Sequence, residues 1–256
     1  MQSSTAYQTS KNLAVLVVGE PKVGKTRLMM AFPDPFVLDL DKNLSSAVSI
    51  NPNKKFWFAQ VDDVPEGQRY DKIEKELKEA IASPDVKTIC IDGVTQLAAC
   101  VKQSIIAGLE KAGLGAKLRQ DVLEPQIRLT DYDTLGSRFL RIVALTRASG
   151  KMVVWTSHQK VDKDEITGAN RYRIHMPGNL ADNLGGYFTD VWAMTATPQP
   201  GGKTKFEIRT KPTGYHVSLG CSIPLDPSID ITDKTPDQIW GILGPKLQPA
   251  TSTPKP

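Results

Sequence analysis

A three-layer α/β fold, with a mostly parallel central sheet and an antiparallel extension, is what this sequence predicts. Three observations carry that prediction. Short β-branched apolar runs alternate with amphipathic stretches through the first 156 residues, the rhythm of parallel strands joined by helices on both faces. The first run, Leu13 to Val18, leads straight into Gly19-Glu20-Pro21-Lys22-Val23-Gly24-Lys25-Thr26, a complete G-x-x-x-x-G-K-[ST] pattern between a strand and a helix. Later, Val191 to Thr195 and Lys205 to Thr210 flank a Pro/Gly turn at Pro198 to Gly202, which reads as an antiparallel pair extending one sheet edge.

The elements follow in order. Thr26 to Phe32 is a short helix that Pro33 and Pro35 stop. Phe36 to Leu40 and Phe56 to Val61 read as strands. Arg69 to Ser83 places Ile73, Leu77, Ala80 and Ile81 on one helical face. Val86 to Ile91 is a buried strand, and Thr95 to about Lys111 a helix. Asp131 to about Ala148 is a helix whose stripe is Leu135, Phe139, Ile142 and Val143, with Gly150 as its cap. Met152 to Thr156 is a strand, and residues 159–179 form a polar mobile loop or hairpin. Tyr215 to Leu219 suits a further strand and Thr235 to Leu243 a terminal helix. The expected organisation is a flexible leader over 1–12, one core over 13–243, and a disordered Pro/Thr/Lys tail over 244–256.

Bulk composition narrows the class. The 256 residues are 40% hydrophobic and 23% charged, ordinary for a globular chain. No apolar run approaches the roughly 18 residues of a membrane span, so no membrane association is expected. Cys90, Cys100 and Cys221 match neither zinc spacing nor a disulfide framework, which suits a reducing cytosol. A net charge of +4 permits a nucleic-acid partner without requiring one.

The glycine-rich pattern binds phosphate for physical reasons. Gly19 and Gly24 let the backbone curl so that amides point inward as an anion nest, which Glu20, Pro21, Lys22 and Val23 complete. The helix beginning near Thr26 and Arg27 adds its positive end. Lys25 brings a compact cation to the β- and γ-phosphates of a nucleotide, and Thr26 offers a hydroxyl to Mg²⁺. Thr88-Ile89-Cys90-Ile91-Asp92 then fits a Walker B strand, with Asp92 near Mg²⁺ through a water. Gly93 follows instead of glutamate, so the Asp-Glu pair of the AAA+ class is missing and the base must come from elsewhere. Asp39 and Asp41 end the neighbouring strand. Alternation points both the same way, with Asp41 the expected base and Asp39 its support or a metal-side partner. Plain turn residues leading into Lys42-Asn43 are the alternative. After the strand at Met152, either His158 or Gln159 is placed to sense the γ-phosphate, unless His158 is a hydrogen-bonded loop residue.

These motifs in this order resemble the RecA-like core. Phe36 to Asp41 resembles the strand carrying its catalytic carboxylate, Thr88 to Thr95 its Walker B strand, and Val153 to His158 its sensor strand. Met176 to Leu180, continuing to Asp190-Val191-Trp192, resembles the return from its mobile DNA-binding loop. Over residues 13–225 the chain is similar to short phage-encoded ATPases described as single-strand annealing or recombination proteins. The resemblance implies Mg-ATP hydrolysis, single-stranded DNA binding, a homo-oligomeric ring or filament, and a bacterial host cytosol. It also makes a single-strand binding protein a plausible partner. Two departures stand: the base is Asp rather than Glu, and no N-terminal oligomerisation domain is expected.

By that resemblance the DNA-facing loop holds Lys160, Lys163, Arg171, Tyr172 and Arg173, together with His175. Cations track phosphates and the aromatic ring stacks on a base, though Asp162, Asp164 and Glu165 dilute the charge. A solvated surface hairpin is the alternative. Arg209 and Lys211 are candidates for reaching a neighbouring subunit's nucleotide; an edge strand guarded by its charges explains them equally well. Competing functions are a phage helicase or helicase loader, a small-molecule kinase, and a nucleotide switch with little turnover. A GTPase is disfavoured because no N-K-x-D motif follows Asp92.

Overall fold

The computed structural model describes residues 13–50, 52–114, 127–128, 131–163, 168, 170–176, 180–213 and 219–247. The expected leader, the tail beyond Leu247, residues 177–179 of the return segment and most of the strand expected at Tyr215 lie outside the described residues. The elements are β1 (Ala14–Gly19), α1 (Lys25–Met29), β2 (Pro35–Asp39), α2 (Leu44–Ile50) and β3 (Trp57–Ala59). Then come α3 (Arg69–Ala82), β4 (Thr88–Asp92), α4 (Val94–Lys111), α5 (Tyr132–Arg147), β5 (Met152–Lys163) and β6 (Asn170–Ile174). The chain continues through α6 (Leu180–Asn183), β7 (Asp190–Pro198), β8 (Thr204–Arg209), β9 (Ser228–Asp230) and α7 (Pro236–Leu247).

One sheet runs in the order β3-β2-β4-β5-β1-β7-β8-β9. Pairings from β3 to β7 are parallel. The β7–β8 and β8–β9 pairings are antiparallel. The expected α/β architecture, a mostly parallel sheet with an antiparallel extension, is therefore present. The phosphate-loop strand β1 and the Asp92 strand β4 are not neighbours; β5 lies between them and pairs with both. That insertion brings the end of β5 beside both motifs.

The sheet is buried on both faces, which is why its strands read as continuous apolar runs rather than alternating ones. On one face Leu16, Leu38, Ile91 and Trp155 pack with Ile73 and Leu77 of α3, Leu97 and Val101 of α4, and Phe139 of α5. Trp155 is fully buried and meets Phe139 and Phe188 edge-on, with centroids 5.9 and 5.4 Å apart. On the other face Val15, Val17, Val37, Cys90 and Trp192 pack with Leu28 of α1, Leu44 of α2, and Ile239 and Leu243 of α7. Truncating a fully buried side chain such as Leu77 to alanine costs about 2–5 kcal/mol.

Several boundaries differ from expectation. The first helix is only five residues long, so the loop amides rather than a helix end supply most of the polarity facing a phosphate. β5 extends well past Thr156 to Lys163, because its second half, Gln159 to Lys163, pairs antiparallel with Asn170 to Ile174 of β6. α7 continues past Leu243 to Leu247, through Pro245, because burial of Leu247 holds its last turn in place. Residues 244–247 therefore belong to the folded core rather than the tail. α2 and β9 are additional elements. The amide of Asn43 donates to Asp39 Oδ1 at 3.1 Å just before α2.

Candidate functional site: a phosphate loop with a carboxylate–histidine pair

The C-terminal ends of β1, β2, β4 and β5 open into one cleft of about 640 Å³. Its walls include Lys22, Gly24, Lys25, Thr26, Arg27, Asp41, Asp92 and His158. The loop from Gly19 to Gly24 bends tightly, with Lys22 at φ 65° in the left-handed region. Glycine at position 19 is a packing requirement: a Cβ there would lie 2.7 Å from the Met194 carbonyl and 2.9 Å from Val23. Lys25 is 6% exposed and donates to the carbonyls of Gly19, at 3.0 Å, and Glu20, at 2.7 Å. Its ammonium thus spans its own loop. Burial lowers its pKa to about 8, against the pull of Asp92, Asp41 and Glu20.

Asp92 ends β4, is 2% exposed, and accepts from two hydroxyls. Thr26 Oγ1 donates to Oδ2 at 2.8 Å, and Thr156 Oγ1 to Oδ1 at 2.6 Å. Burial raises its pKa; the two threonine hydrogen bonds oppose that, while Asp41 and Asp39 reinforce it. A buried carboxylate with acids nearby favours a cation beside it. The juxtaposed Thr26 hydroxyl and Asp92 carboxylate are the residues that would hold a Mg²⁺ ion arriving with phosphates.

The two carboxylates after β2 part company. β2 ends at Asp39, and the amides of both Leu40 and Asp41 then donate to the Asp92 carbonyl, at 3.0 and 3.1 Å. Those two hydrogen bonds to one acceptor break the strand alternation, so the expectation that both acids point the same way is corrected. Asp39 turns to the Asn43 amide and to Gln60 Nε2, at 2.9 Å, and does not line the cleft. Its carboxylate braces the start of α2 rather than supporting a base. Asp41 enters the cleft and sits over Gly93. A Cβ on Gly93 would fall 2.3 Å from Asp41 Oδ1, and Gly93 has φ 111°. The glycine after Asp92 therefore has a physical explanation: the space that a larger residue would fill is taken by a carboxylate delivered from β2.

β5 decides between His158 and Gln159. His158 pairs with Gly19 in the β1 register and lines the cleft. Its Nδ1 lies 3.4 Å from Lys25 Nζ and its Nε2 3.2 Å from Asp41 Oδ2. Because an ammonium only donates, Nδ1 accepts and Nε2 carries the proton that Asp41 accepts. Gln159 points to the opposite side of the strand, towards cavities lined by Tyr172. Its Oε1 is buried without a hydrogen-bond partner among the described residues, and it does not line the cleft.

The candidate DNA residues lie on the hairpin. Lys160 pairs with Arg173 and Val161 with Tyr172; Lys163, exposed, ends β5. The side chain of Arg171 lies outside the described residues, although its backbone pairs with Asp162. Lys160 and Arg173 both meet Asp162, at 3.4 and 3.5 Å, and Arg173 also meets Asp182. Arg209 ends β8, with Nη2 3.7 Å from Glu207, and borders a small cavity with Glu20, Gln159 and Thr195. Lys211 is exposed. Sequence reasoning missed Thr156 and Gly93. A threonine closing the apolar run Met152 to Trp155, beside the Asp92 strand, is the signal that points to the first.

No helix among the described residues is long and apolar enough to cross a membrane. No curated protein matches the chain. A solved KaiC-like protein from the hyperthermophilic archaeon Pyrococcus horikoshii OT3 is similar in outline. It has 11% identity and a TM-score of 0.46, over 86% of this chain and 89% of that one. The family described as AAA domain (AAA_24) matches residues 11–217, most of the chain. With its phosphate loop in the conformation just described, the chain belongs to this AAA-domain family of P-loop ATPases.

Proposed function

We propose that this chain hydrolyses Mg-ATP, binds single-stranded DNA through the β5–β6 hairpin, and acts in strand annealing or homologous recombination as a homo-oligomer. One observation carries the coupling. A single unbroken strand, Met152–Lys163, holds His158 against Asp41 and Lys25 and then becomes the hairpin that presents Lys160 and Lys163. A change in what His158 touches thus has a stiff path to the hairpin.

In the chemical step the loop amides and Lys25 hold the β- and γ-phosphates. Thr26 and Asp92 would hold a Mg²⁺ ion, which would supply positive charge against the charge developing on the phosphates. Asp41 accepts a proton from the water that attacks the γ-phosphorus, while the bond from that phosphorus to the ADP oxygen breaks. His158 orients Asp41 through its Nε2 proton. Loss of the γ-phosphate frees Lys25 to return to the Gly19 and Glu20 carbonyls. Arg209, at the end of β8, and Lys211, just beyond it, are the candidates for meeting a neighbour's nucleotide.

The test measures ATP hydrolysis and particle size with and without single-stranded DNA. DNA should stimulate turnover and enlarge the particle. Replacing Arg171 and Arg173 by alanine should weaken DNA binding and flatten its log–log salt dependence by about 0.7 for each phosphate no longer neutralised. An unchanged slope would remove the hairpin from the DNA path. A nucleotide switch is the second reading, favoured by the pairing of Asp41 with His158. Slow hydrolysis indifferent to DNA would select it.

A further inference from the structure

The cleft has more wall than a triphosphate needs. Beside the phosphate loop its lining includes Arg27, Ala47, Phe206 and Ile231. Phe206 lies on β8 opposite the small side chain of Ala196 on β7 and is partly buried. The ring borders the loop: a Cβ on Gly24 would lie 3.9 Å from Phe206 Cδ1. Backbone bonds hold this wall rigid. The Phe206 amide donates to Thr232 Oγ1 at 2.9 Å, and the Ile231 amide donates to the Phe206 carbonyl at 2.9 Å.

Arg27 adds a second, independent observation. It directly follows Thr26, and its Nε is buried with no hydrogen-bond partner among the described residues. Burial disfavours its charge, and Asp233 offsets only part of that. A buried guanidinium N–H without an acceptor is costly unless a ligand supplies one. A flat group with an apolar face and ring nitrogens that accept hydrogen bonds satisfies both the aromatic wall and the orphaned donor. A nucleobase has that chemistry.

Resting on the ATPase reading, we infer that Phe206 and Arg27 form the nucleobase subsite: the base lies against the Phe206 ring, and Arg27 Nε donates to a ring nitrogen. The antiparallel β8–β9 edge is then part of the nucleotide site as well as a candidate contact between subunits.

Equilibrium binding of Mg-ATP and of magnesium tripolyphosphate, which has no base, tests this on the full chain. Phe206→Ala should weaken ATP about fivefold or more, as expected for loss of one base–aromatic stack, and leave tripolyphosphate within about twofold. Phe206→Trp should restore ATP affinity. Equal weakening of both ligands, or of neither, would overturn the assignment. Wild-type protein that bound neither ligand would instead overturn the phosphate site beneath it.

Discussion

Gly93→Ala is expected to separate nucleotide binding from hydrolysis. The added methyl would stand 2.3 to 2.7 Å from the three terminal atoms of Asp41, where ordinary contact begins near 3.4 Å. The carboxylate must therefore retreat by about 1 Å, and a misplacement of that size costs on the order of a hundredfold in rate. The left-handed backbone at φ 111° adds about 1–2 kcal/mol of strain in any residue with a Cβ. For a chain of this length that lowers Tm by roughly 2–8 °C, not enough to unfold it. The loop contacts of Lys25 arise from Gly19 and Glu20 and do not involve Gly93, so ATP affinity should stay within about threefold. Equilibrium binding, steady-state hydrolysis and a thermal melt on the same preparation separate these effects. A variant that melts a few degrees lower yet hydrolyses ATP at the wild-type rate would refute the placement of the base at Asp41.

Two further outcomes follow from the buried charges. Because burial holds Lys25 near a pKa of 8, ATP affinity should be flat below about pH 8 and fall up to tenfold per unit above it. An affinity unchanged to pH 9.5 would show that the ammonium is not what grips the phosphates. The same shift makes the ligand-free fold gain stability, about 3 kcal/mol in full, as pH rises from about 8 to 10.5. In that window the unfolded lysine keeps a proton that the folded one has released. Thr156→Val removes one of the two hydroxyls on Asp92 and should cost about 1–3 kcal/mol of stability. It should also raise the Mg²⁺ concentration needed for half-maximal turnover, and an unaltered Mg²⁺ dependence would place the ion away from Asp92.

By itself the sequence determined the phosphate loop, its flanking strand and helix, the α/β class and the Asp92 strand. Each is a local matter. Apolar runs bury themselves, glycines permit a tight bend, and a lysine with a threonine at fixed spacing meets a triphosphate whatever the rest of the chain does. Which acid faces the cleft was not local. Asp39 and Asp41 look equivalent in a strand pattern, and only the shared Asp92 carbonyl, far along the chain, turns one away from the other. The choice of His158 over Gln159 likewise depends on the parallel register of β5 against β1. Gly93 became intelligible only once Asp41 was seen to occupy the space above it. Phe206 and Arg27 line one cleft only because β8, distant in sequence, borders the phosphate loop. These are long-range encounters, set by strand order and register, which no window of neighbouring residues contains.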